Sequence, residues 1–385
     1  MSDINGRGKT GRHQNQYSQG CFNINQKAYL MNSVITHQVE LLYAKSNRLI
    51  DLIENKSMFG IFGTGKLAQD CYAKIKEMGH TASFFVDRNE EDGIFMNLPL
   101  KTIKYISQKN IPLLVASTWA KEITLDLIAT GFKGEVFVID PFVTVFERMK
   151  INDTKELIGF YASLEDDISK KTLCDIISFR CGDVDKISTS SYPQYMSPNV
   201  LYSSSDIMID GGAYIGDTIQ SLDCHNVFVR EIHAFEPDLE NFQALALYGN
   251  KTKLKVVSNN LGLWSSEQEL KFSANDTVSY GRRVDEEGGV AIHTTSIDGY
   301  VNSHGIEPTI IKLDIEGAEM HALVGAKNII ATKKPKLAIS LYHSQADLWR
   351  IPAFIRSLNP DYLFYLGHHR SNWMETVLYA QSKVS

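Results

Sequence analysis

Short apolar segments alternate with helical stretches in two separate parts of this chain, and this alternation constrains the fold more than any other feature. In the first part, Met58–Phe62 precedes a glycine turn and a helical stretch, and apolar segments recur at 82–87, 112–117 and 135–140. The second part begins with Ile207–Asp210 and continues in the same way. Strands that alternate with helices form largely parallel sheets. We therefore predict two α/β units of the Rossmann-like type.

The end of the second part differs, because Tyr362–Leu366 and Thr376–Ala380 are joined by a short link. Such a pair is expected to run antiparallel at a sheet edge. The amphipathic pattern from Ala28 to Asn55 predicts a helix that packs on the first α/β unit or on a second copy of the chain. The chain thus divides into a polar, flexible arm and amphipathic helix (1–57), a smaller Rossmann-like α/β domain (58–150), a helical linker or hinge (151–205) and a larger α/β domain (206–385).

Composition excludes several classes of protein. The 385 residues are 43% hydrophobic and 22% charged with a net charge of −6, values of a globular chain without the basic excess of a nucleic-acid binder. The five cysteines form no CxxC pair, which argues against a zinc knuckle or disulfide framework and fits a reducing compartment. The longest uncharged apolar run, Ile111–Ala120, is too short to cross a bilayer, and the start of the sequence lacks a signal-peptide pattern. We predict a cytoplasmic protein with no membrane partner.

The most informative motif is the loop Asp210–Asp217, which lies between a predicted strand and a predicted helix. It lacks the Gly-x-Gly-x-x-Gly spacing of a pyrophosphate site, and its first carboxylate suits a cationic amino-acid tail. Glu236 ends the next strand, at the spacing of an acid that binds both ribose hydroxyls. Together these features predict S-adenosylmethionine, with a tight turn and a helix-capping acid as the alternative. The predicted cofactor contacts in the loop are Asp210, Gly211, Gly212, Ala213, Tyr214, Gly216 and Asp217.

A second group of polar residues lies at other predicted strand ends. Asp314 and Glu316 follow an apolar strand at the edge where open α/β sheets bind ligands, so we predict that both belong to the site. Glu319 lies inside the next helix and is expected to complement the helix dipole. His343 directly follows a later strand, and a neutral imidazole there can accept a proton near pH 7. We predict His343 as the catalytic base, with Asp314 as its orienter or as an acceptor for a substrate hydroxyl.

The tandem pair His368–His369 also follows a strand and is a weaker candidate for the site. A metal site formed by His343, His368 and Asp314 is an alternative that no spacing in the sequence requires. No metal is therefore predicted.

Four motifs occur in an order that resembles the FkbM-type methyltransferases, over roughly Tyr195 to Ala380. The Asp-Ile-Glu-Gly-Ala-Glu block is the more specific of them, whereas many methyltransferases share the glycine loop. The motifs are Asp210-Gly-Gly-Ala-x-x-Gly-Asp217, Phe235-Glu-Pro237, Thr295-Ser-Ile-Asp298 and Ile311-Lys-Leu-Asp-Ile-Glu-Gly-Ala-Glu319.

This resemblance implies a class I methyltransferase fold for 206–385 and transfer of a methyl group from S-adenosylmethionine, typically to a hydroxyl oxygen. It also implies that Asn260 and Leu261 lie near the cofactor's adenine. The family often carries a glutamate on the strand before its histidine, whereas Ser340 stands near that place here. The residues that the resemblance assigns to the cofactor are Asp210, Gly211, Gly212, Gly216 and Glu236.

We therefore predict an S-adenosylmethionine-dependent O-methyltransferase whose acceptor is a sugar or another polyhydroxyl small molecule. Nucleic acid is not expected as a partner, and self-association is left open. Gly63-x-Gly65-x-x-Ala68, with Asp87 at the end of the next strand, matches an NAD fingerprint. The alternatives are therefore an NAD- or nucleotide-sugar-dependent enzyme that uses the first domain, or a non-catalytic ligand-binding scaffold.

Overall fold

The computed structural model describes residues 14–88, 91–107, 109–272 and 289–383. Its first helix, α1 (Gln14–Glu54), is longer than the predicted helix that begins at Ala28. The helix thus includes residues before Ala28 that we expected in the arm, and the flexibility of the arm stays a prediction. Polar residues do not break a helix, and this segment contains no proline.

The helix α1 connects the two parts of the chain. Its middle packs in the core of the second part through residues such as Ile35 and Leu42, and its last turns pack in the core of the first part through Leu49 and Ile53. Packing on the first α/β unit is thus confirmed, and a contact with the second unit is added.

The first unit is a six-stranded sheet in the order β3-β4-β2-β1-β5-β6, parallel throughout except for the β3–β4 pair. The sequence analysis did not identify β3 and β4, because these short, half-exposed strands lack a clear alternating pattern. Its strands are β1 (Gly60–Phe62), β2 (Phe84–Asp87), β3 (Gly93–Phe95), β4 (Leu98–Thr102), β5 (Leu113–Val115) and β6 (Val136–Val138). Its helices are α2 (Lys66–Glu77), α3 (Ile103–Ile106) and α4 (Ala120–Ala129).

The second unit contains a seven-stranded sheet in the order β15-β16-β14-β13-β7-β8-β9 and a three-stranded sheet in the order β10-β12-β11. The strands are β7 (Ile207–Gly211), β8 (Glu231–Phe235), β9 (Val256–Asn259), β10 (Gly262–Leu263), β11 (Gln268–Phe272), β12 (Val290–Thr295), β13 (Ile310–Leu313), β14 (Lys336–Ser340), β15 (Tyr362–His368) and β16 (Thr376–Ser382). The helices are α5 (Ile151–Ser163), α6 (Asp167–Arg180), α7 (Asp217–Cys224), α8 (Leu239–Gly249), α9 (Ile297–His304), α10 (Glu319–Val324), α11 (Lys327–Thr332) and α12 (Asp347–Leu358).

The topology of the larger sheet places the site. The strand β7 lies between β13 and β8, both parallel to it. The chain continues from β7 outward through β8 to β9 on one side and later crosses to β13 and β14 on the other side. Ligands of open α/β sheets bind at the carboxyl ends of strands beside such a reversal. The pair β15–β16 is antiparallel at the sheet edge, as predicted.

The segment predicted as a linker forms the helices α5 and α6, which share a hydrophobic core with the larger sheet through residues such as Leu157 and Leu173. The side chain of Asp166 caps α6 by accepting a hydrogen bond from the Ser169 N–H at 2.6 Å. The division of the chain at 150 and 205 stays a prediction.

Helices long and apolar enough to cross a membrane do not occur in the part of the chain that the structure describes.

Candidate active site

The loop after β7 turns tightly, and several of its backbone N–H groups form hydrogen bonds within the protein. The N–H groups of Gly212 and Ala213 donate to the Phe235 carbonyl at 3.1 and 3.0 Å, and the Gly216 N–H donates to the Ala213 carbonyl at 2.8 Å. These N–H groups are therefore unavailable to a pyrophosphate, which agrees with the predicted choice of cofactor. The helix α7 starts directly after Gly216, whose φ of +91° favours glycine.

Gly212 allows the loop to approach the neighbouring strand end. Its φ is +69°, and a Cβ at this position would lie 1.8 Å from the carbonyl oxygen of Asp314. No larger residue fits there without moving the backbone. The contact brings the glycine loop and the Asp314 segment together at one edge of the sheet.

Asp210, the first residue of the predicted cofactor loop, is paired with a lysine. Its side chain is fully buried, and one carboxylate oxygen lies 2.9 Å from Nζ of Lys312 on β13. The same ammonium group donates to the carbonyls of Gly211 and Gly212 at 3.0 and 2.8 Å. The charge of Asp210 is thus compensated inside the protein, and Lys312 supports the glycine loop through these contacts. A contact of Asp210 with the cofactor stays a prediction.

Burial shifts the pKa values of both Asp210 and Lys312. It raises the pKa of Asp210, an effect that Lys312 partly offsets. Burial alone would lower the pKa of Lys312, but Asp210, Asp314 and Asp217 outweigh it and raise that pKa. The ammonium group therefore stays charged at neutral pH.

Glu236 lies where the sequence analysis expected the ribose-binding acid. One carboxylate oxygen accepts the Tyr214 N–H and the other accepts the Asp238 N–H, each at 2.9 Å. Burial raises the pKa of Glu236 to about 7, and the two backbone donors moderate the rise. Each oxygen keeps acceptor capacity for a second donor such as a hydroxyl.

Asn260 supports the turn that carries Glu236. Its side-chain amide donates to the carbonyls of Glu236 and Pro237 at 2.9 and 3.0 Å. Leu261 is half-buried against the core of the second unit. An adenine contact of either residue stays a prediction.

The second predicted group converges around His343, whose side chain is buried. Nδ1 lies 2.9 Å from a Glu319 oxygen, and Nε2 lies 3.4 Å from Glu316 and 3.5 Å from Asp314. The structure thus brings the three predicted residues together, and it adds Glu319. Glu319 lies in the first turn of α10, as expected of an acid that complements the helix dipole, and accepts the Ile315 N–H at 2.8 Å, but its side chain is also buried against the imidazole.

The surroundings of His343 change its expected chemistry. Burial alone would lower the pKa of the imidazole, but the carboxylates of Glu319 and Glu316 raise it well above its usual value. The carboxylates thus favour the protonated imidazole over the neutral form that a base requires, and the role of His343 as the base stays a prediction.

Glu316 has a strained backbone, with φ at +56° in the left-handed region. Such strain at a residue other than glycine is typical of functional sites. The Glu316 side chain is 34% exposed, against 22% for Asp314. Of these carboxylates, Glu316 is the most accessible to an incoming molecule.

Two tyrosines that sequence reasoning missed hold Asp314. Tyr195 and Tyr342 each donate a hydroxyl hydrogen bond to one of its oxygens, at 2.5 and 2.9 Å. Burial would raise the pKa of Asp314, but His343, Lys312 and the two hydroxyls lower it overall. Tyr195 lies in the Ser/Pro/Tyr-rich segment 188–198, and this composition is the sequence signal that could have pointed to it.

The tandem histidines lie apart from this cluster. His368 bonds through Nδ1 to the Thr376 hydroxyl at 2.8 Å, and His369 contacts the Tyr379 hydroxyl at 3.0 Å. Burial lowers the pKa of each to about 4, so both are neutral. Among the described residues, the donor atoms that are close enough to share an ion belong to Asp314, Glu319 and His343. Glu319 therefore takes the place that the alternative metal site gave to His368.

The first unit contributes to the same edge. The ring of Phe142 packs edge-on against His343, with centroids 4.8 Å apart. The Thr144 hydroxyl accepts the Gln345 N–H at 2.8 Å, which fixes the two units together beside the site. The ring of Phe142, which belongs to the first unit, therefore covers one side of the imidazole.

The glycine turn of the first unit has the expected strand–turn–helix geometry. Gly63 has a φ of +114°, α2 starts after Gly65, and the Thr64 hydroxyl lies 3.0 Å from Asp87. Nucleotide binding by this turn stays a prediction.

Comparison with known proteins agrees with the geometry of the second unit. Residues 210–370 match the family model of the methyltransferase FkbM domain. The hexuronic acid methyltransferase AglP of Haloferax volcanii is 29% identical over 178 residues, which cover 43% of this chain and 72% of that protein.

The fold is also shared with a solved structure. The methyltransferase FkbM from Methylobacillus flagellatus aligns with a TM-score of 0.63 and 21% identity, covering 91% of this chain and 99% of that one. The predicted class I methyltransferase fold is thereby confirmed. Residues 210–370 are thus similar to the methyltransferase FkbM domain, which confirms the resemblance found in the sequence motifs.

Proposed function

We propose that this protein transfers a methyl group from S-adenosylmethionine to a hydroxyl oxygen of a sugar or another polyhydroxyl small molecule. The observation that carries the proposal is the meeting of two sets of residues at one sheet edge. The glycine loop with Glu236 lies on one side, the carboxylate–imidazole cluster lies on the other, and Gly212 packs against Asp314 between them.

The residues present fit S-adenosylmethionine, which when bound supplies an electrophilic methyl group on a sulfonium. The loop has turned its N–H groups inward, as suits a ligand without phosphate. In this proposal Glu236 accepts the two ribose hydroxyls, and Gly211 and Gly212 let the loop pack closely against Leu263, Leu313 and the Asp314 backbone. The buried pair of Asp210 and Lys312 holds the loop in this shape.

The cluster around His343 is suited to activate a hydroxyl. A sugar hydroxyl is a poor nucleophile at neutral pH and needs an acceptor for its proton. Glu316 is the accessible carboxylate and can take that proton, while Tyr195 and Tyr342 occupy the oxygens of Asp314. His343 positions the carboxylates on both sides. The name of the Haloferax relative supports a sugar acid or a related acceptor.

We expect that replacing Glu236 with alanine weakens binding of S-adenosylhomocysteine by about 2 kcal/mol, or about 30-fold, because two hydroxyls lose their charged acceptor. Calorimetry on the full chain measures this loss. Glu240→Ala, which removes an exposed acid from the same segment, is the matched control and should bind normally. Unchanged affinity in a folded Glu236→Ala variant would contradict the ribose assignment. Tight binding of NAD without S-adenosylhomocysteine binding would favour the first unit as the catalytic one.

Binding of S-adenosylhomocysteine should also depend on pH. The Glu236 carboxyl is protonated below its pKa of about 7, and only the ionised form accepts both hydroxyls well. Affinity should therefore rise by up to about tenfold per pH unit below pH 7 and level off above it. Calorimetry between pH 5.5 and 8.5 tests this. Glu236→Gln should show a flat profile over that range, and a flat profile in the unaltered protein would refute the assignment.

A further inference from the structure

We propose that Asp314, Glu319 and His343 bind a divalent cation of the Mg²⁺ or Mn²⁺ class, which coordinates the acceptor hydroxyl. The inference rests on the proposed methyl transfer and gives the acceptor site its chemistry. It assigns Glu319 a ligand role that its position inside α10 did not suggest.

Donor spacing is the first argument. One oxygen of Asp314, one oxygen of Glu319 and one ring nitrogen of His343 all lie within 4.8 Å of one another. Neighbouring ligands of an octahedral ion with bonds of about 2.1 Å are about 3 Å apart, and opposite ligands are about 4 Å apart. Small side-chain movements suffice to close the three donors around one ion.

Unpartnered buried atoms are the second and independent argument. Both ring nitrogens of His343 and Oε2 of Glu319 are buried without an aligned hydrogen bond. Nδ1 is 2.9 Å from Glu319, but the two groups do not point at each other as donor and acceptor. Buried polar atoms are normally satisfied, so atoms that converge without bonding indicate an additional ligand between them.

Charge is the third argument. The carboxylates of Asp314, Glu316 and Glu319 surround a single imidazole. Lys312, whose charge also acts on Asp314, is already engaged by Asp210 and two backbone carbonyls. A divalent cation would balance the carboxylates and leave the imidazole neutral as a ligand.

The donor set indicates the type of ion and its use. The two carboxylates suit Mg²⁺ or Mn²⁺, which keep positions open for water or substrate, and the single imidazole favours Mn²⁺ of the two, because Mg²⁺ binds oxygen ligands almost exclusively. A metal-bound hydroxyl loses its proton more readily. In the proposed step that proton passes to Glu316, the new oxygen–carbon bond forms as the carbon–sulfur bond of the sulfonium breaks, and the sulfur leaves as a neutral thioether.

The test uses the full chain, freed of metal with EDTA and then freed of EDTA. Mn²⁺ is titrated in, and free Mn²⁺ is measured by electron paramagnetic resonance. We expect one bound Mn²⁺ per chain, competition by Mg²⁺, and binding at least about tenfold weaker in Glu319→Gln and Asp314→Asn. Glu307→Gln, which removes an exposed acid paired with Lys333, is the control and should bind as the unaltered protein does.

Each outcome decides the matter. If the unaltered protein fails to bind Mn²⁺ below millimolar concentration, or if all variants bind equally, the cluster is an imidazolium–carboxylate network only and the proposal is overturned. Thermal melting checks that the two variants fold. If neither folds, Mn²⁺ binding to the unaltered chain and its competition by Mg²⁺ decide whether the proposal stands.

Calorimetry with S-adenosylhomocysteine on the metal-free protein separates this inference from the proposed function. If cofactor binding and methyl transfer persist in EDTA, the metal site is refuted and the proposed methyl transfer stands. Mn²⁺ binding without any affinity for S-adenosylhomocysteine would refute the methyl transfer and leave the metal site.

Discussion

Replacing His343 with alanine should lower methyl-transfer turnover by about 100-fold or more, while affinity for S-adenosylhomocysteine stays nearly unchanged. The imidazole is the centre of the cluster, within 3.5 Å of three carboxylates. Its removal leaves those carboxylates to repel one another and to lose their positions around the acceptor hydroxyl. Steady-state kinetics with a hydroxylated acceptor measures the loss, and calorimetry measures the cofactor affinity.

His225→Ala is the matched control, since His225 is an exposed histidine at the end of α7 and should tolerate the same substitution. If His343→Ala keeps full turnover with a true acceptor, the cluster does not serve the reaction. A parallel loss of cofactor affinity would instead show that the substitution disturbs the loop at Gly212.

Replacing Lys312 with methionine should cost about 3–5 kcal/mol of unfolding free energy, because it leaves the Asp210 carboxylate buried without its partner. Both side chains are almost completely buried, and Nζ also donates to two carbonyls of the glycine loop. Denaturant unfolding measures the change. We expect a loss of cofactor affinity as well, since the loop loses its support.

Lys333→Met provides the comparison for this prediction. Lys333 pairs with Glu307 on the surface, where such a pair contributes at most about 1 kcal/mol. The double variant Asp210→Asn with Lys312→Met should recover part of the lost stability, because the remaining buried group is neutral. A folded Lys312→Met protein with unchanged stability would show that Asp210 is not charged in the native state.

Local pattern was enough to predict the α/β class, the antiparallel edge pair and the segments that carry the site. Apolar segments of strand length, bounded by glycine turns and followed by helical periodicity, depend on residues close together in the chain. The loop after β7 and the acid at the end of β8 follow from the same local rules. The carboxyl ends of parallel strands share one edge, so the sequence alone also indicated that Asp314, Glu316 and His343 meet.

Only the tertiary structure decided what each side chain does at that edge. Lys312 lies about a hundred positions from Asp210 in the chain, and Tyr195 is 119 positions from Asp314. Such partners are set by strand order and packing, which periodicity does not encode. Strand order turned Asp210 inward onto Lys312 and buried Glu319 against the imidazole. The packing of the first unit against the second placed Phe142 over His343. Charge and burial at this edge, and therefore its chemistry, depend on contacts between segments far apart in the sequence.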